Sequence, residues 1–408
     1  QPRRRRDASA MLALLSAAAI GAAMQQRVLV IGGTGRIGTA AATHLTQAGV
    51  SVTLAGRSEE RGRAAVVEVA RDSGGAAPEF LCCDWTSASS LSAAVRGFDA
   101  VVHTAGPFSN SPPVVLEAAI AAEVPAYVDL SDPVEYIDQA LAMGPSCTET
   151  VALTAAGAFP GLSNILAMEC ASRLPAGARV QDIDFQYFTA GLGGSGEVNL
   201  LITNEGFGEP VPVYQNGRYA PQITAGGDER TVEFFLDSTD RSAKLVGERA
   251  AWAWPFPEAR TVARQLDIAG DSWVGMGTAP AIWNDVLGLF VKIVPRAWWR
   301  SQAFSNGLAK FSRPLVAATD LFVGETHAMR VDVTSTDGAR VSAVQAHESF
   351  RRVVGQSCAE FTLALLDGAG PPGVYTPEAL FADAAKRKPL LERLLALEGT
   401  LNWGFEGP

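Results

Sequence analysis

The chain has 408 residues, 48% of them hydrophobic and 19% charged, which excludes a disordered polymer and exceeds what one hydrophobic core usually serves, so two domains are expected. A formal net charge of −10 excludes nucleic acid as a partner, because phosphate neutralisation needs clustered Lys and Arg. The cysteines, Cys82, Cys83, Cys147, Cys170 and Cys358, are odd in number and lack CxxC spacing or His partners, which excludes a zinc site and suits buried thiols in a reducing compartment. Cys147 alone, just after the last predicted helix of the first sheet domain, is placed where a thiol could bear on a site.

Residues 1–23 read as a leader: Arg3 to Arg6, one acid at Asp7, then an apolar run from Ala10 to Ala23. The run is shorter than the roughly 20 residues a spanning helix needs. Its composition suits a transit peptide for organelle import, a plastid ahead of a mitochondrion. The basic cluster before an apolar stretch also suits a twin-arginine export signal, and an upstream extension without a role is the third reading.

From Arg27 a short apolar strand runs directly into Gly32, Gly33, Thr34, Gly35, Arg36, Ile37 and Gly38, followed by a helix-compatible stretch from Thr39 to Ala48. This is the dinucleotide fingerprint Gly-x-Gly-x-x-Gly in its required strand–turn–helix context. Its glycines serve a tight turn, approach of a pyrophosphate to the backbone, and close helix–strand packing. The anion is expected on the helix N-terminus, where free N–H groups and the helix dipole favour it. A second strand, Ser51 to Ala55, ends in Gly56, Arg57 and Ser58, where an NAD-preferring site would carry an acid for the ribose hydroxyls. A guanidinium there pairs with a 2′-phosphate. Arg57, with Ser58 and Arg61 as helpers, therefore points to NADP over NAD; a solvated loop arginine is the alternative. A third strand, Glu79 to Cys83, leads to Asp84, expected near the adenine. A fourth, Asp99 to Thr104, leads to Ala105, Gly106 and Pro107, expected beneath the nicotinamide ribose. A fifth, Ala126 to Leu130, carries Tyr127 and Asp129.

Taken as a set, Gly32–Gly38, Ala105-Gly-Pro-Phe108, Tyr127-Val-Asp-Leu-Ser131, Gly157-Ala-Phe-Pro-Gly-Leu-Ser-Asn164 and Gly373-Val-Tyr-Thr-Pro-Glu378 resemble the saccharopine dehydrogenase-like NAD(P)-binding oxidoreductases. The resemblance is strong over 27–170 and weaker over 180–350. It implies a Rossmann domain, a substrate domain built on an antiparallel sheet, and hydride transfer to or from a C–N or C–C bond. Enzymes of that family that handle saccharopine carry Gly-x-Asp-Pro-Gly, where this chain has Phe159. A substrate outside lysine metabolism is therefore expected. Short-chain dehydrogenases are the rival, but they need Tyr-x-x-x-Lys, and Tyr127 is followed at that spacing by Ser131.

From Arg179 onward, alternation of apolar and polar residues over Gln181–Phe188, Thr231–Leu236, Thr326–Val333 and Ala339–His347 predicts half-buried antiparallel strands. A glycine-rich loop spans 191–196, and a helix is expected from Phe350 to Leu366, packing back on the first domain. The stretch 281–300, aromatic, basic and apolar, reads first as a core helix or a cover over a greasy cavity; peripheral membrane contact is the second reading.

The expected fold class is α/β: an N-terminal Rossmann-type parallel sheet domain at 24–175, an α+β domain with a mainly antiparallel sheet at 176–348, and C-terminal helices at 349–408. The expected activity is NADP-dependent hydride transfer to a small or lipid-like substrate, with Asp129 and then Tyr127 as proton-handling candidates, and with homodimer formation through the second domain. His103, inside an apolar run, reads as a core histidine. A nucleotide-binding structural or assembly factor that has lost turnover is the second reading.

Overall fold

The computed structural model describes residues 25–109, 111–191, 206–207, 209–221, 223–239, 246–299 and 301–408. The leader at 1–23 and most of the glycine-rich loop, 192–196, lie outside the described residues.

Strands are numbered in chain order. The first sheet contains β1 (Arg27–Ile31), β2 (Ser51–Gly56), β3 (Glu79–Cys82), β4 (Ala100–His103), β5 (Ala126–Asp129) and β6 (Val151–Leu153). β15 (Gly373–Tyr375) returns from the end of the chain to complete it. The order is β15-β6-β5-β4-β1-β2-β3, and each adjacent pair is parallel. β1 is Arg-Val-Leu-Val-Ile with four buried positions in a row, the continuous apolar run of a strand covered on both faces. Strand order reverses between β1 and β4, so their carboxyl ends diverge into a crevice, the usual ligand position of a doubly wound sheet.

The second sheet contains β7 (Val180–Ala190), β10 (Arg230–Glu233), β11 (Glu248–Ala253), β12 (Ser272–Ala279), β13 (Thr326–Ser335), β14 (Arg340–His347) and β16 (Thr400–Glu406), in the order β10-β11-β12-β7-β13-β14-β16. All its pairings are antiparallel except β12 with β7. A two-stranded ribbon, β8 (Tyr214–Gln215) and β9 (Arg218–Tyr219), lies beside it. The fold is thus α/β, a parallel sheet domain followed by a mainly antiparallel one.

Two helices join the sheets. Leu162–Arg173 is buried along nearly its whole length and packs against β13 and β14. Phe350–Leu366 crosses the glycine-loop helix, Arg36–Gln47, so closely that a Cβ on Gly355 would stand 2.7 Å from the Cβ of Ala40. His44 Nε2 and Glu360 Oε1, at 2.7 Å, tie the same pair. One buried apolar cluster runs from Val28 and Leu54 through Ile165 to Phe185, Val274 and Val331. The two sheets therefore share a core.

Candidate cofactor and substrate cavity

The turn after β1 is built as its glycines dictate. Gly32 has φ +83°, and a Cβ there would lie 2.7 Å from the Ala105 nitrogen; a Cβ on Gly38 would stand 2.3 Å from the Gly32 oxygen. Neither position accepts a side chain without moving backbone. Gly33 packs inward, where a Cβ would meet the Val30 oxygen at 2.8 Å. The helix opens at Gly35 with no side chain capping its first N–H groups, which leaves them directed at whatever occupies the crevice.

A cavity of about 500 Å³ spreads from this turn. One end is polar: Gly32, Thr34, Gly35, Arg36, Ile37 and Gly38 line it, followed by Arg57, Ser58 and Arg61 beyond β2. Ser58 also caps the Glu59–Ser73 helix, its Oγ accepting from the Arg61 nitrogen at 3.3 Å. The Arg61 guanidinium reaches the Thr34 carbonyl at 3.5 Å. Ala105 and Gly106 line the middle, while Pro107 between Gly106 and Phe108 does not.

The other end is apolar and comes from the second domain and the connecting segments: Phe159, Pro160, Trp254, Phe256, Met276 and Phe350. Phe159 lies nearly parallel to two flanking rings, with its centroid 4.4 Å from Tyr187 and 5.0 Å from His327. Every cation on the described lining, Arg36, Arg57 and Arg61, belongs to the glycine-loop and β2 end.

Several sequence expectations need correction. Asp84 does not line the cavity: its carboxylate accepts from the Thr86 nitrogen at 3.1 Å and from Thr86 Oγ1 at 2.7 Å, bonds that hold it below the usual carboxylate range. Its neighbours Cys83 and Trp85 face the cavity instead. Asp129 is fully buried and off the lining. It accepts from Ser131 Oγ at 2.7 Å, the Ser131 nitrogen at 3.0 Å, Thr154 Oγ1 at 3.0 Å and the Ala155 nitrogen at 3.1 Å. Burial pushes its pKa up while these donors oppose the rise. Such a carboxylate fixes the turns after β5 and β6 and has no path to a substrate.

Tyr127 is likewise fully buried; its hydroxyl donates to Asp129 Oδ2 at 3.1 Å. His103, off the lining, stands 5.4 Å from Trp85 and 4.9 Å from Phe108, and burial lowers its pKa to about 3. Cys147 is buried away from the cavity. What sequence reasoning missed on the lining is Asp132, just beyond β5, and Thr189 on β7. Asp132 follows the motif Tyr127–Ser131 directly, so its place at the carboxyl edge was the available signal. Among the described residues, no group of three His, Cys, Asp or Glu is placed to hold a metal.

A second buried polar group lies behind Phe159. Tyr187 donates to Glu258 Oε1, and burial pushes Glu258 up to about 8. Asn164, from the Gly157–Asn164 segment, donates to Glu378 Oε2 at 2.7 Å. This contact joins the segment to the chain's Gly373–Glu378 stretch, across 214 residues of sequence.

Residues 28–156 match the family described as the saccharopine dehydrogenase NADP binding domain. The apo saccharopine dehydrogenase (L-Glu forming) of Saccharomyces cerevisiae superposes with a TM-score of 0.61 at 12% identity, covering 94% of this chain and 100% of that one. Pen from Bacillus thuringiensis gives a TM-score of 0.27 at 21% identity, over 32% of this chain and 50% of its own. A short-chain type dehydrogenase/reductase from Mycobacterium ulcerans gives 0.24 at 26% identity, over 26% and 51%. Among curated proteins, none matches the chain. Residues 28–156 thus match the saccharopine dehydrogenase NADP binding domain family, and the fold is shared along nearly the whole chain with the yeast enzyme.

Proposed function

We propose that the chain is an NADP-dependent oxidoreductase whose substrate is apolar, small or lipid-like, and is held against Phe159, Phe256, Met276 and Phe350. The observation that carries this reading is the polarity of the cavity, cationic and glycine-lined at one end and aromatic at the other. The glycine turn leaves room for a pyrophosphate, and Arg57, Ser58 and Arg61 supply charge and hydrogen bonds for a 2′-phosphate, which favours NADP over NAD. When bound, NADPH supplies a hydride from C4 of its nicotinamide.

The chain's own part is to position and to exclude water. A dicarboxylate or amino-acid substrate needs cations to replace its hydration, and the described aromatic end offers none. Phe159, standing where saccharopine-handling relatives carry an acid, makes that end a stack of rings. A hydrocarbon segment gains from displacing water there, at about 25 cal/mol per Å² buried. Asp132 is the lining acid, in reach of the carboxyl edge of the parallel sheet, and we assign it the proton that accompanies hydride transfer.

The test is NADPH oxidation by the full-length protein with a series of unsaturated acyl or carbonyl compounds of increasing chain length, alongside 2-oxo diacids. The reading requires kcat/KM to rise with each added methylene, by up to about fourfold. Preference for the diacids would sink it.

A further inference from the structure

Twelve large apolar side chains are exposed among the described residues, and nine of them fall between Ile282 and Phe322. Singly scattered exposed apolar groups are ordinary, whereas a concentration marks an interface. The helix Ala281–Ile293 presents Ile282, Leu289 and Ile293, and the helix Gln302–Val323 presents Phe311, Leu315 and Phe322. These spacings, i, i+7, i+11 and i, i+4, i+11, each place the residues on one helical face. Leu321 and Phe322 are 85% and 90% exposed.

The inner faces are anchored. Trp283 Nε1 donates to Thr319 Oγ1 at 3.1 Å, joining the two helices. Trp299 is buried against Phe207 at 5.0 Å, and Phe207 rests on Trp254 of the cavity at 4.9 Å. β12, which carries the lining residue Met276, runs straight into the first helix. The apolar face is therefore continuous in packing with the aromatic end of the cavity.

Charge identifies what covers it. From 281 to 323 the sequence holds Lys292, Arg296, Arg300, Lys310 and Arg313 against Asp285 and Asp320, in a chain whose net charge is −10. Two copies meeting through this face would bring like charges together. An anionic bilayer instead offers acyl chains to the apolar stripes and headgroups to the exposed Lys292 and Lys310, and the half-exposed Trp298 suits the boundary between them. Among the described residues no helix is long and apolar enough to cross a membrane. We propose that the helices at 281–293 and 302–323 seat the protein on the surface of an anionic lipid bilayer, with the aromatic end of the cavity on the side of the lipid.

The experiment is flotation of the full chain with vesicles of phosphatidylcholine alone and with about one third phosphatidylglycerol. Binding is expected on the anionic vesicles and about tenfold weaker on the neutral ones. The double variant Leu321→Glu with Phe322→Glu lowers anionic-vesicle binding at least about tenfold, with thermal unfolding and NADPH affinity unchanged because both side chains lie in solvent. Lys292→Glu with Lys310→Glu removes the preference for anionic lipid. Absence of vesicle binding, or binding unaffected by the double variant, overturns the proposal. So does a concentration-dependent dimer that the same variants dissolve without any vesicle binding. Turnover plays no part in the readout, so failure here leaves the hydride-transfer reading standing and is distinguishable from its failure.

Discussion

At the residue scale, the glycine turn and the carboxylates near it illustrate how differently two motifs translate. The spacing of Gly32, Gly33, Gly35 and Gly38 predicts a turn that tolerates no Cβ, and the 2.3 Å approach to the Gly32 oxygen shows why for Gly38. Gly38→Ala is expected to cost about 1–3 kcal/mol and to weaken nucleotide binding, measured by urea unfolding and titration. Asp129 was equally visible in sequence, where it read as the first proton-handling candidate, but the structure buries it completely. What no local pattern reveals is that Ser131, Thr154 and the Ala155 nitrogen converge on it. Asp129→Asn should therefore destabilise, by about 2–4 kcal/mol for several bonds to a buried charge, rather than abolish chemistry selectively. Asp132→Asn should do the reverse: kcat falls by about 10² or more, while the unfolding midpoint and the NADPH affinity stay close to the parent's. An active Asp132→Asn protein would remove that assignment.

At the element scale, the strands with clean alternation were legible. The patterns at Gln181–Phe188, Thr326–Val333 and Ala339–His347 fall on β7, β13 and β14, because one side of each must be apolar to meet the shared core. β12 was illegible for a physical reason. Its Gly275 and Gly277 break the apolar pattern, yet a Cβ on Gly277 would stand 1.9 Å from the Ala250 oxygen, so the glycine is what lets β11 approach. The acid expected near the adenine fails similarly, since Thr86 takes up Asp84 and leaves Trp85 to line the cavity. The helix Phe350–Leu366 carries a further consequence. Gly355→Ala would push it from the Arg36–Gln47 helix that supports the glycine turn. We expect a loss of about 1–3 kcal/mol in denaturant unfolding and a weaker NADPH complex, since the displaced helix carries the turn with it. A variant as stable as the parent would mean that the two helices have slack there.

At the scale of the whole molecule, the cavity exists because the second sheet closes the mouth of the first, and neither domain alone supplies both its ends. The buried titratable groups at this closure make stability depend on pH. Glu258, ordinarily near 4.5, is pushed up to about 8 by burial, so its contribution is complete below pH 4.5 and is lost as pH rises through about 8. His327 is lowered from 6.5 to about 3 by burial; its contribution is present above pH 6.5 and is lost as pH falls through about 3. Unfolding midpoints should thus decline on both sides, and Glu258→Gln should flatten the alkaline decline while leaving the acid one. A parallel shift of the whole profile in that variant would contradict the assignment.

The most direct measurement is fluorescence titration of the full chain with NADPH and NADH, repeated for Arg57→Asp. The account predicts a low-micromolar NADPH complex, about −8 kcal/mol, weaker binding of NADH, and loss or reversal of that preference in the variant. Equal binding of the two nucleotides by the parent, or a preference untouched by Arg57→Asp, would contradict it, and binding of neither would remove the cofactor from the cavity altogether.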